Sequence, residues 1–94
     1  MDATELKDLV GDGKIFSASF IKRGDGTVRR MLARTGVKPD GGGERSYNPS
    51  DHNLLLVWDL QARGYRTIPA DNLIQVKAHG RVTTTELAKR YPLR

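Results

Sequence analysis

The chain has 94 residues, 16 Lys and Arg against 11 Asp and Glu, a net charge of +5 and no cysteine, which bounds it to one small basic domain burying roughly 64% of its unfolded surface. Disulfides and thiolate metal sites are excluded, and two histidines alone make a poor zinc site, so neither a metal nor another cofactor is expected. No apolar run approaches the roughly 20 residues of a membrane-crossing helix, and the start MDATELKD lacks the basic stretch of a secretion signal, so the expected setting is cytoplasmic, with no membrane partner.

Asp2 and Glu5 stand at capping-box spacing, which predicts a short helix over Ala3 to Val10 ended by Gly11 and Gly13. In Lys14 to Lys22 the alternation of Phe16, Ala18 and Phe20 predicts a first strand with one apolar face. Gly24-Asp25-Gly26 accepts positive φ and turns the chain tightly into a second strand, Thr27 to Arg34. There Arg29, Met31 and Ala33 share the inward face, while Val28, Arg30, Leu32 and Arg34 take the other. Neither face is cleanly apolar, which calls for a strongly bent strand with a bulge near Gly36.

Gly36 to Asn53 reads as a long loop containing the triple glycine Gly41 to Gly43. Leu54 to Leu60 is apolar enough to predict a strand buried on both sides, with Trp58 in the core. Gln61 to Gly64 then turns into a strand at Tyr65 to Ile68. Asp71 is placed to cap a single 3₁₀ turn before a closing strand, Ile74 to Ala78. Two β runs separated by so brief a break are how small SH3-like barrels close. The expected architecture is mainly β: a five-stranded SH3-like barrel within residues 1–80, with the leading helix included. Residues 81–94 are expected as a basic C-terminal tail, a short helix capped by Thr83 or partly disordered chain.

Charge is distributed unevenly along this plan. Met1 to Gly13 carries four acids and one lysine, whereas Lys14 to Lys38 carries seven bases (Lys14, Lys22, Arg23, Arg29, Arg30, Arg34 and Lys38) against Asp25 alone. Alternate guanidiniums on a strand stand about 7 Å apart, suited to successive phosphates, and their forks grip phosphate bidentately. The same arginines can instead pair internally with Asp51, Asp59 or Asp71. Strands also use Lys and Arg on solvent faces to blunt edges. Tyr47, Trp58 and Tyr65 are candidate rings on which bases can stack, with Trp58 expected instead in the core; Tyr47, in the polar loop, is the better surface candidate and can equally anchor the Tyr47-Asn48-Pro49 turn to the barrel.

Motifs for catalysis are weak. Ser50-Asp51-His52 has the letters of a hydrolase triad, but three consecutive residues cannot converge as nucleophile, base and orienter. Gly11-Asp12-Gly13-Lys14 lacks the ending of a phosphate loop and precedes a strand where that motif needs a helix. His52 and His79 have no ligand neighbour at helical spacing and are expected in solvated loops. An enzyme is not expected.

Taken together, the segment Lys14 to Lys38, Tyr47-Asn48-Pro49, and Asn53 to Lys77 with Trp58-Asp59 and Gly64-Tyr65-Arg66 resemble a family of small phage-encoded proteins described as WYL-like with an Sm-like SH3 barrel fold. The resemblance covers residues 14–78 and implies a fold and a phage setting in a bacterial host, but no catalytic residues. By fold analogy it makes nucleic acid a plausible partner. The function expected is therefore non-enzymatic binding of nucleic acid or another phosphate-bearing ligand. The binding set comprises Lys22, Arg23, Arg29, Arg30, Arg34, Lys38, Arg45 and Tyr47. The alternative is an anti-defence inhibitor of anti-CRISPR type that docks on an acidic host protein. Edge strands would also allow homo-oligomers.

Overall fold

The computed structural model describes residues 1–36 and 52–91. Lys38, Arg45, Tyr47, Asp51 and the glycine run Gly41 to Gly43 lie outside the described residues.

Helix α1, Ala3–Val10, forms where the capping signal predicts it: the Asp2 side chain accepts from the Glu5 amide at 2.8 Å. Ala3, Leu6 and Val10 recur on one face and are buried. Gly11, at φ 68, ends the helix while its amide donates to the Lys7 carbonyl. The helix is tied to the barrel at both ends. The Ala3 amide donates to Asn53 Oδ1 at 2.7 Å, and the His79 ring lies 3.0 Å from the Val10 carbonyl. His79 is therefore engaged at the helix end, where a purely solvated loop histidine was expected.

Six strands follow: β1 Ile15–Ile21, β2 Val28–Arg34, β3 Leu54–Asp59, β4 Gly64–Pro69, β5 Leu73–Ala78 and β6 Arg81–Thr84. All pairings are antiparallel, in the order β4-β3-β2-β1-β5-β6. The described residues thus form six strands, where five were expected. The extra strand forms within the stretch expected as a tail, because His79 and Gly80 both adopt positive φ, as a two-residue hairpin turn requires, and return Arg81–Thr84 along β5. The helix expected beyond it is a 3₁₀ turn, Glu86–Lys89, capped by Thr85, whose hydroxyl accepts from the Leu87 amide, and not by Thr83. Asp71 does not cap the 3₁₀ turn Ala70–Asn72; it lies inside that turn and accepts a hydrogen bond from Arg23.

The interior follows the pleat. Phe16, Ala18 and Phe20 of β1 and Met31 and Ala33 of β2 point inward as the alternation predicts, joined by Leu55, Val57, Ile68, Leu73 and Val76 and closed over by α1. The bulge lies elsewhere than near Gly36: Ser19 pairs with Gln75 and Phe20 with Leu73, so β5 spends one extra residue, Ile74, opposite this step. Gly36 instead has φ 82 and passes so close to Gly13 that a Cβ there would sit 3.2 Å from the Gly13 nitrogen, so only glycine fits without strain.

β3 alternates instead of burying both faces: Leu55, Val57 and Asp59 are inside, and Leu54, Leu56 and Trp58 are half-buried outside. Trp58 is accordingly not a core residue. It packs edge-on against Tyr65 of β4, ring centroids 5.1 Å apart and planes at 83°. Asp59 takes the inward position with 2% exposure, because its Oδ1 accepts the Gln61 and Ala62 amides, at 3.0 and 3.1 Å, that open the turn into β4. Among the described residues no helix is long and apolar enough to cross a membrane.

Candidate functional site

The cations of the first hairpin do not form one site. Strand alternation and the turn divide them between a groove and the outer face of the sheet.

The groove lies between the tip of the β1–β2 hairpin and β4, with a volume of about 440 Å³. Phe20, Met31, Leu54 and Pro69 supply apolar lining, and Lys22, Arg23 and Arg29 line it from the hairpin side. Arg66 of β4 completes the set, a residue that sequence reasoning missed. Every one of these cations has a carboxylate nearby. Arg23 donates to Asp71 at 2.6 Å and to the His52 carbonyl at 3.1 Å, and Lys22 is 3.8 Å from Asp25. Arg29 and Arg66 approach the same oxygen of Asp59, at 3.9 and 3.4 Å. The internal pairing considered for the arginines is thus realised for Arg29, and Arg23 pairs as well.

The hairpin turn is built by its own carboxylate. Asp25 accepts from the Thr27 amide at 3.0 Å and the Thr27 hydroxyl at 2.7 Å, and these bonds, with a smaller contribution from Lys22, hold its carboxyl below the usual carboxylate range. At the opposite end of β1 the hydrogen bond and charge of Lys7 do the same to Asp12.

The outer face carries the other cations. Paired residues of an antiparallel ladder share a face, so the register sets Tyr65, Trp58, Arg34 and Ile15 in one row across β4, β3, β2 and β1. A second row runs Leu32, Ser17, Lys77 and Val82, and a third Arg30, Ser19, Gln75 and Thr84. The outward positions of the six described strands include Arg30, Arg34 and Lys77 but no Asp or Glu. Among the described residues none of these three cations is in an ion pair; Arg30 donates to the Ser17 hydroxyl at 3.3 Å. Arg30, Ser17, Leu32 and Gln61 border a depression of about 350 Å³ on this face. Four exposed aliphatics, Ile15, Val28, Leu32 and Val82, surround the cations, and Ile15 and Val82 are more than half exposed.

Of the expected binding set, then, Lys22, Arg23 and Arg29 gather at the groove, and Arg30 and Arg34 stand on the outer face with Lys77, which the sequence reasoning did not select. Among the described residues no group of His, Cys, Asp and Glu is arranged to hold a metal ion.

No curated protein and no solved structure matches the chain significantly. The family model described as WYL_2, Sm-like SH3 beta-barrel fold, matches residues 3–74 and so takes in α1, which the sequence resemblance left out. With that match spanning more than half of its length, the chain belongs to the WYL_2 family of Sm-like SH3 β-barrels.

Proposed function

We propose that this protein is a non-enzymatic binding module that takes single-stranded nucleic acid on the outer face of its sheet. One observation carries the reading: three cations, Arg30, Arg34 and Lys77, share a face on which the described strands place no carboxylate. A polyanion approaching there meets attraction with no opposing carboxylate from the described strands. Trp58 and Tyr65, half-buried beside Arg34, add ring surface against which a splayed base can stack. Duplex presents its bases inside, so the aromatic pair favours single strands.

The groove is the weaker candidate for a nucleic-acid backbone, because Asp25, Asp59 and Asp71 stand against its four cations. Surface ion pairs contribute only about 0–1 kcal/mol and can be exchanged, yet the exchanged carboxylates stay in place and repel a chain of phosphates.

A protein partner, including the phage anti-defence role that the family resemblance suggested, is the second reading. The exposed aliphatics Ile15, Leu32 and Val82 favour it, since they lie beside the cations and suit a mixed interface. Fluorescence anisotropy with labelled single- and double-stranded oligonucleotides at about 50 mM salt separates the two. Single-strand binding that weakens steeply with salt supports the first reading. Absence of any binding at that salt overturns it and leaves the protein-directed one.

A further inference from the structure

The groove holds an arrangement that nucleic-acid binding on the outer face does not use. Asp59 is closed off, with 3% of its side chain exposed, and its Oδ1 is consumed by two turn amides. The guanidiniums that neutralise it are open: the Arg29 and Arg66 side chains are 33% and 45% exposed. At 3.9 and 3.4 Å from Oδ2 they stand farther away than the roughly 2.7–2.9 Å of a charge-assisted hydrogen bond. Neither arginine donates a hydrogen bond to another described residue. Their forks, one from β2 and one from β4, are thus held in place by charge while their N–H groups remain available on the groove side.

We propose that this groove is a separate site for a small organic phosphomonoester, its tetrahedral head taken between the Arg29 and Arg66 guanidiniums and its apolar or planar body laid against the half-buried Leu54, with the buried Phe20, Met31 and Pro69 behind it. Two forks converging from different strands suit an anion with three outward oxygens, whereas a planar carboxylate occupies one fork and leaves the other unmatched. Lys22, only loosely paired with Asp25 at 3.8 Å, adds a third positive charge at the rim. Arg23 is spent on Asp71 and the His52 carbonyl and acts as a positioning residue that pins the hairpin wall. A volume of about 440 Å³ lies within the range of small-molecule pockets, and Asp25 and Asp71, paired with the lining cations Lys22 and Arg23, disfavour a longer polyanion.

The test is a titration of the ¹⁵N-labelled full chain with phenyl phosphate and with adenosine 5′-monophosphate, using phenol, adenosine and inorganic phosphate as controls. Saturable amide shifts at Phe20, Arg29, Met31 and Arg66 are expected with both phosphomonoesters, at dissociation constants below about 1 mM. The neutral controls should give none, and inorganic phosphate should bind at least about tenfold more weakly, because it lacks the body. Arg66→Gln should weaken binding about tenfold or more. Arg66→Lys, which keeps the charge opposite Asp59 and the fold but loses the fork, should weaken it several-fold. Arg30→Gln should leave it unchanged. The proposal is overturned if neither phosphomonoester saturates, if Arg66→Lys binds like the wild type, if inorganic phosphate binds equally well, or if the shifts centre on Arg30 and Arg34. Because the probes carry one phosphate each and the two sites share no residue, failure here leaves the outer-face reading standing.

Discussion

Binding of a single strand on the outer face has a calculable salt dependence. If Arg30, Arg34 and Lys77 each neutralise one phosphate of a single strand, the slope of log K against log salt is about −0.7 per contact, or about −2 in total. Raising salt from about 50 to about 200 mM then lowers affinity roughly 20-fold. Each Gln substitution at these positions should flatten the slope by about 0.7, and the triple variant should retain little salt dependence. All three side chains are exposed, so stability should change by less than about 0.5 kcal/mol per substitution, and lost binding reports on the ligand, not on folding. The assay is fluorescence anisotropy of a labelled single-stranded oligonucleotide over a salt series, with Lys22→Gln and Arg23→Gln as controls expected to keep the wild-type slope. A triple variant with an undiminished slope, or a slope flattened by the two controls, would rule out the outer face as the binding surface.

Three further outcomes follow from the packing and the turns. Asp59→Ala strands the Gln61 and Ala62 amides and the two arginines around a buried position, so urea denaturation should show a loss of about 2–4 kcal/mol. Asp2→Ala removes the acceptor for the Glu5 amide at the start of α1, and the same measurement should register about 1 kcal/mol. Because Asp25 has its pKa lowered first by the Thr27 hydroxyl and then by the Thr27 amide, its contribution to stability is complete above the ordinary carboxylate pKa and disappears as pH falls through the lowered folded value, a window below about pH 4. Carboxyl ¹³C titration should place Asp25 below a free aspartate in the wild type and return it part of the way upward in Thr27→Ala.

Much of this structure was legible in local patterns. Asp2 with Glu5 announced α1, the alternation of Phe16, Ala18 and Phe20 defined β1, and Gly24-Asp25-Gly26 marked the hairpin. The split of the site was also latent there, since alternation already set Arg29 on the side opposite Arg30 and Arg34. Trp58 was misplaced because Leu54 to Leu60 is apolar almost throughout, which hides a period of two; the buried carboxylate of Asp59, satisfied by turn amides, is what fixes the phase and turns the ring outward. β6 escaped notice because Arg81–Thr84 is short and polar, although His79-Gly80 ahead of Val82, Thr83 and Thr84 carries a hairpin signal. Arg66 and Lys77 could not have been assigned to sites from local patterns. Each joins its neighbours only through strand register across a long stretch of chain.

If a nucleic-acid strand lands on the face where the described strands place no carboxylate, chemical-shift mapping shows it without relying on affinity alone. On adding a single-stranded oligonucleotide to the ¹⁵N-labelled protein, the Arg30, Leu32, Arg34 and Lys77 amides and the Trp58 indole N–H should shift or broaden, while α1 and the Lys22 to Thr27 turn stay unchanged. Perturbations confined to that turn and to Arg66, or none at all, would contradict it.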